Sequence, residues 1–168
     1  MSVAAVVGFA VIRAVTDDTV PTPVRTVDYT TSVKAGRADR LLAVMAPAQL
    51  PAGWRATSAS YVTGSDPTWH LGLLTEEDRY VGVEESRRSI EHLVREHVDV
   101  GAERGEDVTI DGEPWQVWTD AGGDYAVARS LEIEGSAVES WVVVGSAPEA
   151  TIREFAESLE GGSVRLTG

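Results

Sequence analysis

Three histidines are the side chains of this 168-residue chain best suited to acid–base or metal chemistry. His92 and His97 are five residues apart on a predicted helix, about 140° around its axis, so they do not bind one metal ion together. His97 lies on the apolar face of that helix and is interpreted as half-buried. His70 lies in a predicted strand, on the face opposite Trp69, where a neighbouring strand would bring a carboxylate such as Glu84 within reach. A histidine paired with a carboxylate is an arrangement that a hydrolase can use as its general base.

Clustered carboxylates occur at residues 76–78 and 103–107. Neither cluster has the alternating ligand spacing of a calcium loop, and both lie in predicted turns, where acidic residues are common. The chain has no cysteine, which removes disulfides, thiol nucleophiles and cysteine-based metal sites. It also has no Gly-x-Ser-x-Gly elbow, phosphate-binding glycine loop or dinucleotide fingerprint. The sequence therefore predicts no catalytic residue, no cofactor and no metal site.

Tryptophan is the other residue type that suggests recognition. The chain has five: Trp54, Trp69, Trp115, Trp118 and Trp141. Most are interpreted as core and sheet-face residues, because aromatic side chains dominate burial. Trp115 and Trp118 have opposite parity in one predicted strand, so one of the two rings is expected at the surface. Trp69, His70, Trp115 and Trp118 together are the predicted ligand or partner surface.

The charge of the chain is strongly acidic and unevenly spread. The net charge is −13, with residues 1–40 close to neutral and all of the excess acid beyond them. Such a field repels the phosphate backbone, which argues against nucleic acid as a partner. It also repels anionic headgroups, so the domain is expected to stand away from a membrane surface. Acidity of this kind keeps a domain soluble and by itself identifies no ligand.

The N-terminal residues differ in composition from the rest. Val3–Ile12 is an unbroken run of apolar or small residues, shorter than the roughly 17–25 residues of a membrane-spanning helix. Residues 1–15 are therefore interpreted as an anchor or signal remnant, with a buried element as the alternative. Residues 16–40 contain Pro21 and Pro23 and show no helical period, so an extended linker is predicted there. If the anchor is real, it is the only part of the chain in contact with a membrane.

The alternation of apolar and polar residues, together with the turn residues between these runs, predicts a mainly antiparallel sheet over residues 41–162. A tail follows at 163–168. Trp69–Thr75 and Arg79–Glu85 form one predicted hairpin, and the Asp111–Gly112 pair marks a second, because a type I′ turn needs positive φ. Leu41–Met45 is predicted as a short strand. Over Ser86–Val98 the spacing of the apolar residues changes to the period of a helix, which predicts a helix there.

A second helix is predicted near the C-terminus. Ser146 and Glu149 have the spacing of a capping box, and Gly161–Gly162 ends the apolar stripe. The predicted fold class is α+β, a mainly antiparallel sheet covered by two helices, with an N-terminal apolar segment and an extended linker.

Several motifs resemble one family over about residues 41–160. They are Ala46-Pro47-Ala48-Gln49-Leu50-Pro51-Ala52-Gly53-Trp54, Thr68-Trp69-His70-Leu71-Gly72, Tyr80-Val81-Gly82-Val83, Asp111-Gly112-Glu113-Pro114-Trp115 and Val144-Gly145-Ser146-Ala147. Together they resemble the actinobacterial family known as domain of unknown function four-two-four-five. The resemblance implies a single-pass membrane protein whose globular part lies outside the cytoplasm, with no agreed activity and no catalytic residues to carry over. The anchor of that family is longer than Val3–Ile12.

Three functional hypotheses follow. The first is a membrane-tethered extracytoplasmic module that binds an unknown protein or small ligand without chemistry. The second is a hydrolase that uses His70 with a neighbouring carboxylate. The third is an assembly or scaffold factor that presents a sheet face, centred on Trp115 or Trp118, to another protein.

Overall fold

The computed structural model describes residues 24–133 and 137–163. Within these residues the helices are α1 (Tyr29–Asp39), α2 (Ile90–His97) and α3 (Glu149–Glu157). The strands are β1 (Ala46–Pro47), β2 (Arg55–Val62), β3 (Thr68–Leu74), β4 (Tyr80–Ser86), β5 (Glu103–Arg104), β6 (Val108–Ile110), β7 (Glu113–Thr119), β8 (Tyr125–Ile133), β9 (Ala137–Gly145) and β10 (Leu159–Glu160). The predicted apolar anchor, the first part of the predicted linker and most of the tail lie outside the described residues.

One antiparallel sheet organises the domain. Its strands run in the order β2-β3-β4-β9-β8-β7-β5, with β6 paired on β7, while β1 and β10 form a separate pair. The predicted hairpin of β3 and β4 is confirmed, with Leu71 opposite Val83. The second predicted hairpin is β6 and β7, and its turn residues Asp111 and Gly112 have φ of 49° and 76°. The α+β class predicted from the sequence is confirmed.

The two faces of the sheet bury two separate cores. On one face, side chains including Trp69, Val83, Val127 and Val143 pack with α1, α3 and the segment before β2. On the other face, α2 covers the small residues of β8 and β9 and contributes Leu93 and Val94 among others. Helices therefore lie on both faces of the sheet, which explains why the central strands are apolar on both sides.

Helix α1 corrects the prediction of an extended linker over Tyr29–Asp39. Asp28 caps its first turn by accepting a hydrogen bond from the backbone N–H of Thr30 at 2.9 Å. Only Tyr29, Val33 and Gly36 are buried on its inner face. Because glycine supplies one of these three contacts, the apolar period that identifies a helix was absent from the sequence. The helices of the described residues are thus three, rather than the two predicted.

Two further local predictions need correction. Helix α3 begins after Pro148 without a side-chain cap, because the predicted capping residue Ser146 instead accepts a hydrogen bond from the backbone N–H of Tyr80 at 3.2 Å. The predicted strand at Leu41–Met45 is an irregular segment whose residues from Leu42 onward are buried. None of the helices in the described part of the chain has the length and apolar character needed to cross a membrane.

Two buried carboxyl groups hold that irregular segment against the sheet. Glu85 accepts hydrogen bonds from the backbone N–H groups of Val44 and Met45, both at 2.8 Å. Glu139 accepts from the N–H of Ala43 at 3.1 Å. Burial, followed by the hydrogen bond and negative charge of Glu139, raises the pKa of Glu85 well above its usual range. Glu85 therefore favours its protonated form beside the carboxyl group of Glu139.

Candidate functional site

A β-bulge in the edge strand β2 sets the orientation of Ser58. Ala56 pairs with Leu73 and Ser58 pairs with Gly72, so Thr57 is an extra residue in β2. In a regular strand, residues two apart share a face. The extra residue breaks this rule: Ala56 faces the core that contains Leu73, and Ser58 turns to the opposite face.

Ser58, His70 and Glu84 form a continuous hydrogen-bonded relay across three neighbouring strands. The Oγ of Ser58 lies 2.7 Å from Nε2 of His70, and Nδ1 of His70 lies 2.6 Å from Oε1 of Glu84. His70 and Glu84 are directly opposite each other in the β3–β4 register. Glu84 is buried, with 4% of its surface exposed, whereas the His70 side chain keeps 24% exposure. The pairing of His70 with Glu84 was predicted, and the participation of Ser58 was not.

The direction of the hydrogen bonds in this relay follows from the chemistry of its groups. A carboxylate only accepts, so Nδ1 of His70 donates to Glu84. The other ring nitrogen of a neutral imidazole is then an acceptor, and the Ser58 hydroxyl donates to it. With Glu84 ionised and His70 neutral, the relay is oriented from hydroxyl to imidazole to carboxylate, which is the orientation that a general base requires; in a protonated ring both nitrogens would donate instead.

Helix α2 adds a second histidine to the same carboxylate. Nδ1 of His97 lies 3.6 Å from Oε2 of Glu84, and the His97 side chain keeps 30% exposure within a residue that is exposed as a whole. Glu84 thus lies between two imidazoles, one from the sheet and one from the helix that packs on it. At 3.6 Å this second contact is longer than a hydrogen bond, and it is an ion pair only when His97 is protonated.

Two glycines create the space for the relay. A Cβ atom on Gly72 would overlap the Oγ of Ser58, and one on Gly82 would lie 2.6 Å from the hydroxyl of Tyr80. The ring of Tyr80 therefore lies over Gly82, beside the relay. Burial, followed by the negative charges of Glu84 and Asp124, raises the pKa of Tyr80, so its phenol stays protonated. Larger residues at these two positions would displace Ser58 or Tyr80.

A separate cavity of about 400 Å³ opens at the end of the sheet where two hairpins meet the start of α3. Its walls come from the β3–β4 turn, the β7–β8 turn and the β9–α3 connection. The lining residues are Arg79, Thr119, Asp120, Gly123, Asp124, Tyr125, Ser146, Ala147, Pro148 and Glu149.

The charge in this cavity is predominantly negative. Burial, followed by the charge of Asp120, raises the pKa of Asp124, so both the buried surroundings and a neighbouring carboxylate oppose its ionisation. Asp120 also holds the turn, since its Oδ1 accepts from the N–H of Asp124 at 2.7 Å. Glu149 has a cationic neighbour in Arg153 at 3.3 Å, and Arg79 is the cation in the cavity wall. A positively charged group placed between Asp120 and Asp124 would relieve their repulsion.

The predicted surface of four residues is not one surface. Trp69 and Trp115 are 1% and 4% exposed, and the indole of Trp69 donates to the carbonyl of Met45. Both rings are core residues, which corrects their assignment to a binding surface and removes Trp115 as the centre of a scaffold face. Trp118 is half-buried and packs beside α2, so neither ring is as exposed as the sequence predicted for one of them. Of the four, only His70 belongs to a cluster of reactive groups.

Metal binding has no support in the described part of the chain, where no three histidine, aspartate or glutamate side chains are grouped to hold an ion. The two histidines on Glu84 are instead joined through that carboxylate. Ser58 was the reactive residue that the sequence analysis missed. Its orientation depends on the extra residue Thr57, and a bulge leaves no mark on a simple alternation of apolar and polar residues.

The motifs, the sheet and the relay define an α+β domain of a family without an assigned activity. The chain belongs to the family described as "Protein of unknown function (DUF4245)", whose model matches residues 1–159. None of the curated proteins matches it.

Similar solved structures include the Pseudomonas aeruginosa MucA/MucB complex, at 17% identity and a TM-score of 0.41, and MucB in complex with MucA(peri), at 17% identity and a TM-score of 0.40. Each match covers 72% of this chain. The chain spans only 36% and 37% of the length of those two chains.

Proposed function

We propose that this chain is a binding domain that receives a lysine or arginine side chain of a protein partner in the acidic cavity between the hairpin turns and α3. The observation that carries the proposal is the cavity itself, about 400 Å³ in volume, with Asp120, Asp124 and Glu149 in its wall. This volume is within the usual range of about 300–1,000 Å³ for ligand pockets.

The chemistry of the cavity wall supports a cationic occupant. The raised pKa of Asp124 reflects burial and the neighbouring negative charge of Asp120. A bound cation would offset the repulsion between the two carboxylates. Arg79 and the pair formed by Glu149 and Arg153 give the wall polar groups of both signs, which suits a hydrated protein side chain better than an apolar small molecule. The net charge of −13 would also speed the approach of a basic partner.

A titration followed by amide NMR tests this proposal on the full chain. Nα-acetyl-arginine methylamide is the probe, and the uncharged citrulline analogue is its control. The arginine probe should shift the amide signals of Gly123, Asp124 and Ser146, and the citrulline analogue should not. Asp124→Asn should abolish the shifts, whereas Asp111→Asn, in the distant β6–β7 turn, should leave them unchanged. Equal shifts with both probes, or none with either, would contradict the proposal.

We also propose that the domain is held outside the cytoplasm by an anchor at residues 1–15. The apolar run Val3–Ile12 and the near-neutral charge of residues 1–40, beside an acidic remainder, support this arrangement. A tagged full-length protein should sediment with membranes and be digested by protease added to whole cells. Recovery as a freely soluble cytoplasmic protein would rule it out.

A further inference from the structure

We propose that Ser58 is a nucleophile that accepts the acyl group of a carboxylic ester, with His70 as its general base and Glu84 as the group that orients and stabilises the imidazole. The activity goes beyond binding at the acidic cavity and uses a different set of residues. The relay of Ser58, His70 and Glu84 is the observation that carries it.

The distances meet the requirement for nucleophile activation. Serine is weakly nucleophilic until a base lies within hydrogen-bond reach, about 2.6–3.2 Å, and the base is oriented by a third group. Both contacts of the relay are in this range, at 2.7 Å and 2.6 Å. The burial of Glu84 strengthens its attraction for the imidazolium that forms when His70 takes the proton.

The bulge at Thr57 supports a role for Ser58 beyond sheet packing. A bulge gives up regular pairing in the edge strand, and such features often re-aim a side chain beside an active site. Here it points Ser58 at Nε2 of His70 rather than into the core with Ala56. Ser60, directly opposite His70 in the register, is exposed, so the same face is accessible to an ester from solvent.

The reaction balances without any added cofactor. Oγ of Ser58 attacks the ester carbonyl carbon while its proton passes to Nε2 of His70. The carbon–oxygen bond to the alcohol breaks, and the alcohol leaves with that proton. Water then attacks the acyl carbon and gives its proton to Nε2. The bond between the acyl carbon and Oγ breaks, and Ser58 recovers the proton from Nε2. The acyl group is released as a carboxylic acid.

The substrate class follows from the position of the relay on an open sheet face. His70 retains 24% exposure, so bound substrate is only partly enclosed, and little binding energy is available to strain it. Esters with a good leaving alcohol need the least binding energy to reach the transition state. The class is therefore small activated carboxylic esters rather than amides.

The first experiment measures acylation of the full-length chain by p-nitrophenyl acetate and covalent labelling by a fluorophosphonate. Intact mass and peptide mapping should show one adduct, on Ser58. Ser58→Ala should lose the adduct, and His70→Gln should slow acylation by about 100-fold or more. Ser60→Ala is the matched control, two residues along β2 on the same face, and should label like the unchanged protein. An adduct that persists in Ser58→Ala, or its absence from the unchanged chain, would overturn the proposal.

A second experiment keeps the test valid if a change at His70 disturbs folding. Because the chain has no cysteine, Ser58→Cys and Ser60→Cys each carry a single thiol. At neutral pH, iodoacetamide should alkylate the thiol of Ser58→Cys at least tenfold faster than the thiol of Ser60→Cys, because the adjacent imidazole stabilises the thiolate. Adding His70→Gln to Ser58→Cys should remove this advantage. Because Ser60 is more exposed and also lies opposite His70, the decisive readout is the pH profile of the rate. If the alkylation rate of Ser58→Cys rises with the pKa of an ordinary thiol, about 8.5, His70 does not activate position 58.

Discussion

Glu84 and Glu85 are neighbours in sequence but serve opposite faces of the sheet. Glu84 faces His70 and His97 at the relay, and Glu85 binds backbone N–H groups of the segment before β2. Both are nearly fully buried. Because side chains alternate between the two faces of a strand, a carboxyl group beside two imidazoles is separated from its neighbour in sequence, whose pKa burial raises.

The raised pKa of Glu85 predicts that stability falls as pH rises. The folded state retains a proton on Glu85 that the unfolded chain releases near its ordinary pKa of 4.5. The contribution is therefore complete below that pH and is lost as pH rises through the folded-state pKa, with a slope of about 1.4 kcal/mol per pH unit for one proton. Urea unfolding at a series of pH values above 4.5 should show this decline.

Glu139→Gln is the variant that isolates this proton. The glutamine oxygen can still accept from Ala43 and Trp141, as Glu139 does, while its amide donates to Glu85. The variant should lose the part of the pH dependence above pH 4.5 that comes from the hydrogen bond and charge of Glu139, keep the part that comes from the burial of Glu85, and be more stable than the unchanged chain at alkaline pH. A decline as steep as in the unchanged chain would mean that other groups cause it.

At the scale of elements, the regular hairpins and α2 could be predicted, and the irregular features could not. The β3–β4 alternation and the Asp111–Gly112 turn each carry a local signal in the residue types. Helix α1 depends on a glycine contact, and the orientation of Ser58 depends on a bulge. Both are set by packing against other parts of the chain, which no local pattern records.

A change at Gly36 tests the docking of α1 by the sign of its effect. In an isolated or solvent-exposed helix, alanine is more stable than glycine by about 1 kcal/mol. In the docked helix, a Cβ at this position would lie 2.8 Å from atoms of both Tyr61 and Val44. Gly36→Ala should therefore lower the free energy of unfolding, by about 1–3 kcal/mol for overpacking.

The control for Gly36→Ala is Ala35→Gly, at an exposed position of the same helix. It should cost about 1 kcal/mol through helix propensity alone. Chemical denaturation of both variants gives the comparison. If Gly36→Ala stabilised the protein, α1 would be a helix that does not pack against Tyr61 and Val44.

At the scale of the whole molecule, the acidic cavity and the relay belong to one domain of strong negative charge. Self-repulsion at a net charge of −13 opposes the compact state. Salt screens this repulsion, with a Debye length of about 10 Å at 0.1 M. The melting temperature should therefore rise with sodium chloride at pH 7.

The control for the salt effect is the same titration near the isoelectric point of about 4.5, where the net charge is small. The rise in melting temperature should nearly disappear there. A rise of the same size at both pH values would indicate a general salting-out effect rather than relief of charge repulsion.

The position of the proton on His70 tests the central claim about the relay most directly. Long-range ¹⁵N–¹H correlation spectra of the full chain at neutral to mildly alkaline pH distinguish the two tautomers of an imidazole. Where the ring is neutral, its proton should lie on Nδ1, facing Glu84, with an unprotonated Nε2 that accepts from Ser58. Ser58→Ala should move the Nε2 signal and leave the tautomer unchanged. A proton on Nε2, alone or with one on Nδ1 throughout that range, would contradict the role of His70 as a general base, because the ring would then have no lone pair with which to activate Ser58.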